Sequence, residues 1–164
     1  MRCVMYFEDN SEYTYFLPDG YTLPGVKNIG WLDCKHPYIK DEVGFDFINK
    51  LTAIILKDDD KISYAVNKIR GFYKCGFCND DMIKITNGEH VKYLGMSEVW
   101  MPSICEGIYY AFPSLMLHYV EHHEYKPPED FITSVLKLDT EQPFIAQNIY
   151  DEKIRDLNIN FWLR

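Results

Sequence analysis

The chain has 164 residues and a mass of 19.4 kDa; this is the size of one domain, expected to span residues 1–164, and it can bury ~70% of its unfolded surface without a covalent staple. With 47% hydrophobic and 26% charged residues, and with 13 Tyr and 10 Phe, the composition argues against wholesale disorder, collagen and coiled coil. Lys and Arg total 17 against 25 Asp and Glu, a formal net charge of −8, which disfavours nucleic acid and anionic membrane as partners and favours a basic one.

The first third reads as irregular or short extended segments, because Leu17-Pro18-Asp19-Gly20 and Leu23-Pro24-Gly25 are turn chemistry flanked by aromatic residues. Over residues 43–56 the apolar positions Val43, Phe47, Ile48, Leu51, Ile54 and Ile55 recur every three or four residues, one buried stripe of an amphipathic helix. Lys57-Asp58-Asp59-Asp60-Lys61 ends it as a solvated loop. Residues 62–69 are read as a second helix, weakened by their β-branched side chains. Strands are expected at residues 82–86 and 90–94, joined by a type I′ turn at Asn87-Gly88. Two more follow at 97–101 and 108–112, and the four together suit an antiparallel meander. Pro113 and Ser114 open a helix that continues through Leu115, Met116, His118, Tyr119 and Val120 to about His123, where Lys126-Pro127-Pro128 stops it. Glu129-Asp130 begins another, with acidic residues at its positive end and Phe131, Ile132, Val135, Leu136 and Leu138 on its buried side. In the tail, Phe144, Ile145, Ile149, Ile154, Leu157, Phe161 and Trp162 are apolar anchors, so the tail is expected to dock. The fold class expected is α+β: a small antiparallel meander with packed helices.

No apolar run approaches the ~20 residues of a membrane span, and residues 1–9 lack the apolar core of an export signal. The expected compartment is the cytoplasm. Five cysteines, Cys3, Cys34, Cys75, Cys78 and Cys105, are an odd and scattered set, which suits a reducing compartment and makes metal ligation the first reading of any close pair.

Cys75-Gly76-Phe77-Cys78 is the sharpest chemical signal, because two thiolates two residues apart grip one ion from a tight turn that Gly76 relieves. Two more ligands are needed, and His118, His122 and His123 lie at the end of an expected helix. Two buried thiols or a redox pair are the competing readings of the Cys motif, the redox one weakened by the lack of a following helix in a βαβ unit. Surface decoration is the competing reading of the histidines. The chain between Cys78 and His118 far exceeds that of a short DNA-binding finger, so the match is to a topology and not to a spacing rule. On periodicity His122 shares the face of His118, whereas His123 is rotated by ~140° on an ideal helix. The nearby Pro127-Pro128 ends the helix, where such distortions are common, so His123 stays open.

Four stretches carry a resemblance: residues 26–37 (VKNIGWLDCKHP), 70–78 (RGFYKCGFC), 94–99 (LGMSEV) and 108–136 (IYYAFPSLMLHYVEHHEYKPPEDFITSVL). Together they resemble a widespread, uncharacterised family of small bacterial proteins. Its pattern is a Gly-Trp-Leu-Asp…His-Pro segment, a Gly-Phe-x-x-Cys-x-Phe-Cys knuckle and a His-Tyr-Val-x-x-His-x-Tyr-x-Pro-Pro-x-x-Phe block. The second histidine of that block maps onto His123, so the resemblance implies the ligand set Cys75, Cys78, His118 and His123. The chain departs from the pattern at Tyr73, where relatives often carry His. The resemblance implies a metal and no established activity.

Trp31-Leu32-Asp33 with His36-Pro37 can form a recognition patch or merely anchor a core and mark a turn. Glu98 and Glu106 are candidate acid–base groups beside a metal. Two Cys and two His fill a tetrahedron, however, so a structural zinc is expected over a catalytic one. Asp58-Asp59-Asp60 and Asp80-Asp81 read as solvated loop charge that can also face a cationic partner. The functional expectation is a non-enzymatic, zinc-stabilised interaction protein of the immunity type, which binds and neutralises a basic protein toxin. The competing expectation is a metal-dependent hydrolase or nuclease in which Glu98 or His36 completes an open zinc site.

Overall fold

The computed structural model describes residues 5–69, 73–80 and 82–157. In chain order these form β1 (Glu12–Tyr13), β2 (Leu23–Asn28), α1 (Phe45–Leu56), β3 (Ile62–Ser63), β4 (Ala65–Val66), β5 (Lys84–Asn87) and β6 (His90–Tyr93). There follow β7 (Glu98–Pro102), β8 (Tyr109–Pro113), α2 (Met116–His122), α3 (Glu129–Lys137), β9 (Phe144–Ile145) and α4 (Ala146–Asp156). The mixed α+β class matches the sequence expectation.

The central sheet has the strand order β1-β2-β8-β7-β4. Its middle strands β7 and β8 are buried almost throughout, because alternate side chains enter two separate cores. Val99, Met101, Tyr110 and Phe112 join the core that also holds buried residues of α1, α2 and α3. Trp100 and Ala111 point into a second core with Tyr13, Tyr15, Leu23, Val26 and Trp31, onto which Ile149, Tyr150, Ile154 and Leu157 pack. The tail therefore docks as expected; Phe161 and Trp162 lie outside the described residues. Helix α1 follows the expected stripe, burying Phe47, Leu51, Ile54 and Ile55, each contributing roughly 1.5–3 kcal/mol by leaving water. The Lys92 ammonium donates to the Ile55 carbonyl at 2.7 Å, a cation on the negative end of that helix.

Four local expectations are corrected. Residues 62–69 hold β3 and β4 and no helix; β3 pairs parallel with β9 and β4 antiparallel with β7, so tertiary pairing sides with the β-branched residues. The four strands from 82 to 112 are not one meander: β5 and β6 form their own two-stranded sheet, and β8 continues the central sheet by pairing parallel with β2. In the β5–β6 hairpin Asn87 pairs with His90, so the loop is Gly88-Glu89. Gly88 alone has positive φ (+64°) there, which is type II′ geometry and not type I′. Leu23-Pro24-Gly25 is no free turn but part of β2. The register jumps from Glu12 opposite Lys27 to Tyr13 opposite Leu23, a bulge with Gly25 at φ +81°.

Candidate metal centre

Strand β8 runs through Ser114 and Leu115 into α2, whose buried face carries His118 beside Met116, Leu117, Tyr119 and Val120. The helix ends where the Tyr119 carbonyl accepts both the His123 amide at 3.0 Å and the Tyr125 amide at 3.1 Å. Glu124 between them is left-handed (φ +58°). His123 caps the helix with φ −125° and ψ 14°, outside helical values, so the ideal-helix rotation that favoured His122 does not apply to it. His122 is exposed. Its ring centroid lies 5.0 Å from that of His118, but it does not join the cluster of donor atoms.

The knuckle reaches this helix end from the other side. Tyr73 donates its amide to the Gly95 carbonyl at 2.8 Å, and the chain then bends so that the Phe77 amide approaches the Cys75 sulfur at 3.3 Å. Phe77 presses edge-on against Tyr119, with ring centroids 5.8 Å apart, and its centroid is 5.1 Å from that of His123.

The structure brings Cys75, Cys78, His118 and His123 together with all four donor atoms within 4.8 Å of one another. The Cys75 sulfur is 3.3 Å from His123 Nε2, and the Cys78 sulfur is 3.3 Å from His118 Nε2. The two Nε2 atoms are 3.1 Å apart. A tetrahedral zinc with bonds of ~2.3 Å to sulfur and ~2.0 Å to nitrogen requires sulfur–nitrogen edges of ~3.6 Å and a nitrogen–nitrogen edge of ~3.3 Å. These three distances lie within a few tenths of an ångström of the corresponding edges, and all four donors are close enough to one another to hold a metal ion.

The electrostatics agree with the geometry. Burial holds the His118 imidazole down to about 4, with His123 and His122 adding to the effect, and burial also lowers His123; both rings are thus neutral, as ligation requires. Burial pushes the Cys75 thiol up to about 11, the Phe77 amide opposing and the Cys78 sulfur reinforcing it. A cation bound beside that sulfur would favour its thiolate and so the release of its proton to solvent. Sulfur and imidazole donors suit a zinc-like ion and not calcium or magnesium.

Other residues singled out from the sequence lie elsewhere. Glu98 is in the second core, where its carboxylate accepts from the Tyr13 hydroxyl (2.6 Å), Trp100 Nε1 (3.2 Å) and Asn67 Nδ2 (2.8 Å). Burial raises its pKa in spite of those three donors. His36 donates from Nδ1 to the Asp33 carboxylate at 2.7 Å and stacks flat on Tyr6 at 3.7 Å. Neither Glu98 nor His36 belongs to the metal cluster, and Glu106, Cys34 and Cys105 are exposed. Asp58 pairs with Lys68 at 2.7 Å, and Asp59 caps its loop by accepting the Lys61 and Ile62 amides. Cys3 and Asp81 lie outside the described residues. Sequence reasoning gave no role to Tyr38, whose hydroxyl donates to the His123 carbonyl at 2.8 Å, or to Gly95, which lies in the stretch 94–99 without being singled out.

Among the described residues no helix is long and apolar enough to cross a membrane. Comparison with curated proteins and with solved structures returns no match. A family model described as a domain of unknown function, DUF7919, matches residues 5–136, a span that contains both halves of the metal centre and stops before β9 and α4. The chain belongs to the DUF7919 family.

Proposed function

We propose that this chain is a zinc-stabilised interaction protein without catalysis at its metal, of the immunity type, binding and neutralising a basic protein toxin. The observation that carries the reading is the donor set itself: two sulfurs and two imidazole nitrogens gathered within 4.8 Å of one another would fill the coordination shell of a zinc ion and leave no position for a substrate water. The metal then stabilises the fold, and the work is done by the surface. That surface bears a formal charge of −8, which raises encounter rates with a cationic partner by roughly 10- to 1,000-fold. Among the described residues, its two most exposed large apolar side chains, Ile39 and Phe45, are 72% and 75% accessible and are flanked in sequence by exposed Asp41, Glu42 and Asp46. Exposed apolar side chains with acidic neighbours in the sequence suit a basic protein.

Native purification at low ionic strength is expected to retain a strongly basic protein that is released as salt rises. Expression of that protein alone is expected to arrest growth, and co-expression of this chain to restore it. An acidic partner, salt-independent retention or arrest that co-expression does not relieve contradicts the reading.

A further inference from the structure

The two halves of the metal centre come from distant parts of the chain, and each is a short segment unable to hold its own geometry. The knuckle has no regular secondary structure. The helix-end half depends on one residue, His123, whose neighbour Glu124 is left-handed. The His123 and Tyr125 amides both return to the Tyr119 carbonyl, but the last carbonyls of a helix have no partner within it, so the His123 carbonyl needs a donor from outside the helix.

Tyr38 supplies that donor. Its hydroxyl donates to the His123 carbonyl at 2.8 Å, which adds to the backbone bonds on either side in holding the peptide that follows the imidazole. The same ring meets Phe77, at the centre of the knuckle, edge-on at a centroid distance of 5.4 Å, and Tyr125 at 6.1 Å. Tyr38 is itself pinned, since its neighbours pair with the chain just past the helix end. Lys126 donates its amide to the Ile39 carbonyl and Asp41 donates to the Glu124 carbonyl, both at 3.0 Å, the two bonds that make the antiparallel bridge between Lys40 and Tyr125. One side chain from the loop before α1 thus touches both ligand-bearing segments.

We infer that Tyr38 is a positioning residue of the metal centre, holding His123 in ligating orientation through its hydroxyl and the knuckle in place through its ring. The inference rests on the zinc reading above. Tyr38→Phe keeps the ring packing and removes only the hydroxyl, so the fold survives while the His123 carbonyl loses its donor. Loss of one such hydrogen bond corresponds to about 3- to 10-fold in an equilibrium constant.

The experiment compares wild type and Tyr38→Phe, each loaded with zinc, for transfer of the ion to a chromophoric chelator, and each loaded with cobalt for its visible absorption. The expected result is zinc affinity lower by about 3- to 10-fold in the variant, with altered cobalt bands. A purely architectural role lowers the melting temperature and leaves metal transfer and cobalt bands as in wild type, and that outcome overturns the inference alone. Wild-type protein that takes up neither ion overturns the zinc reading and the inference with it.

Discussion

Cys75→Ser and His118→Ala are each expected to abolish the cooperative thermal unfolding transition of the metal-loaded protein, leaving an aggregating chain, whereas His122→Ala is expected to melt within about 0.5 kcal/mol of wild type. Structural zinc binds with roughly 10–16 kcal/mol in small finger peptides, while a domain holds a net stability of only about 5–15 kcal/mol. A site that loses half of that binding energy forfeits roughly 5–8 kcal/mol, comparable to the net stability of many domains. His118 is 5% exposed, so its truncation also leaves a cavity against Tyr119 and the knuckle. His122 is exposed and its loss uncovers nothing. A strong chelator added to wild type should reproduce the Cys75→Ser behaviour. Circular-dichroism melts of the three variants decide the matter: equal damage from all three undoes the ligand assignment.

The second large effect falls on a residue that touches no metal. Gly95 has φ +90°, and a Cβ built there would lie 2.5 Å from the Tyr73 carbonyl oxygen and 3.1 Å from its amide nitrogen. Both are backbone atoms, which cannot rotate away as a side-chain tip does. Tyr73 in turn donates to the Gly95 carbonyl, and the Gly95 amide donates to Ser114 Oγ at 2.8 Å, close to the start of α2. Gly95→Ala therefore meets the left-handed backbone cost of about 1–2 kcal/mol and overpacking of about 1–3 kcal/mol, a destabilisation of roughly 2–5 kcal/mol. It also pushes the segment that delivers Cys75, so zinc retention should fall with stability. Gly88→Ala is the control, since Gly88 also has positive φ (+64°) but has nothing within 4 Å of its would-be Cβ. Urea unfolding midpoints of the two variants should separate clearly; a Gly95→Ala no worse than Gly88→Ala contradicts the account.

The parts legible in the sequence share one cause, which is that local periodicity reports burial only where one face of an element is buried. Phe47, Leu51, Ile54 and Ile55 mark α1 in this way, and Phe131 and Val135 mark α3. The short strands β3 and β4 carry two residues each, too few for any period to show, and their partners lie in other parts of the chain. The parallel pairing of β2 with β8 joins Val26 to Tyr109, a register that no local pattern encodes. Of the site, Cys75, Cys78 and His118 were legible because donor spacing is itself chemistry. The fourth donor was not legible from periodicity, because a helix end replaces the helical rotation exactly where His122 and His123 compete. Family resemblance pointed to His123, and the geometry brings that residue into the cluster. The roles of Tyr38 and Gly95 stayed hidden because their partners, His123 and Tyr73, are distant in the chain, and no local pattern reports such a contact. The same holds for the Tyr125 hydroxyl on Asp9, whose carboxylate also accepts the Gly30 amide.

The most direct test is the metal content and coordination shell of protein purified without chelator. Elemental analysis should find one zinc per chain, and X-ray absorption at the zinc edge should resolve a four-coordinate shell of two sulfurs at ~2.3 Å and two nitrogens at ~2.0 Å. Protein that is folded yet holds no stoichiometric transition metal, or a shell made of oxygen and nitrogen alone, would contradict it.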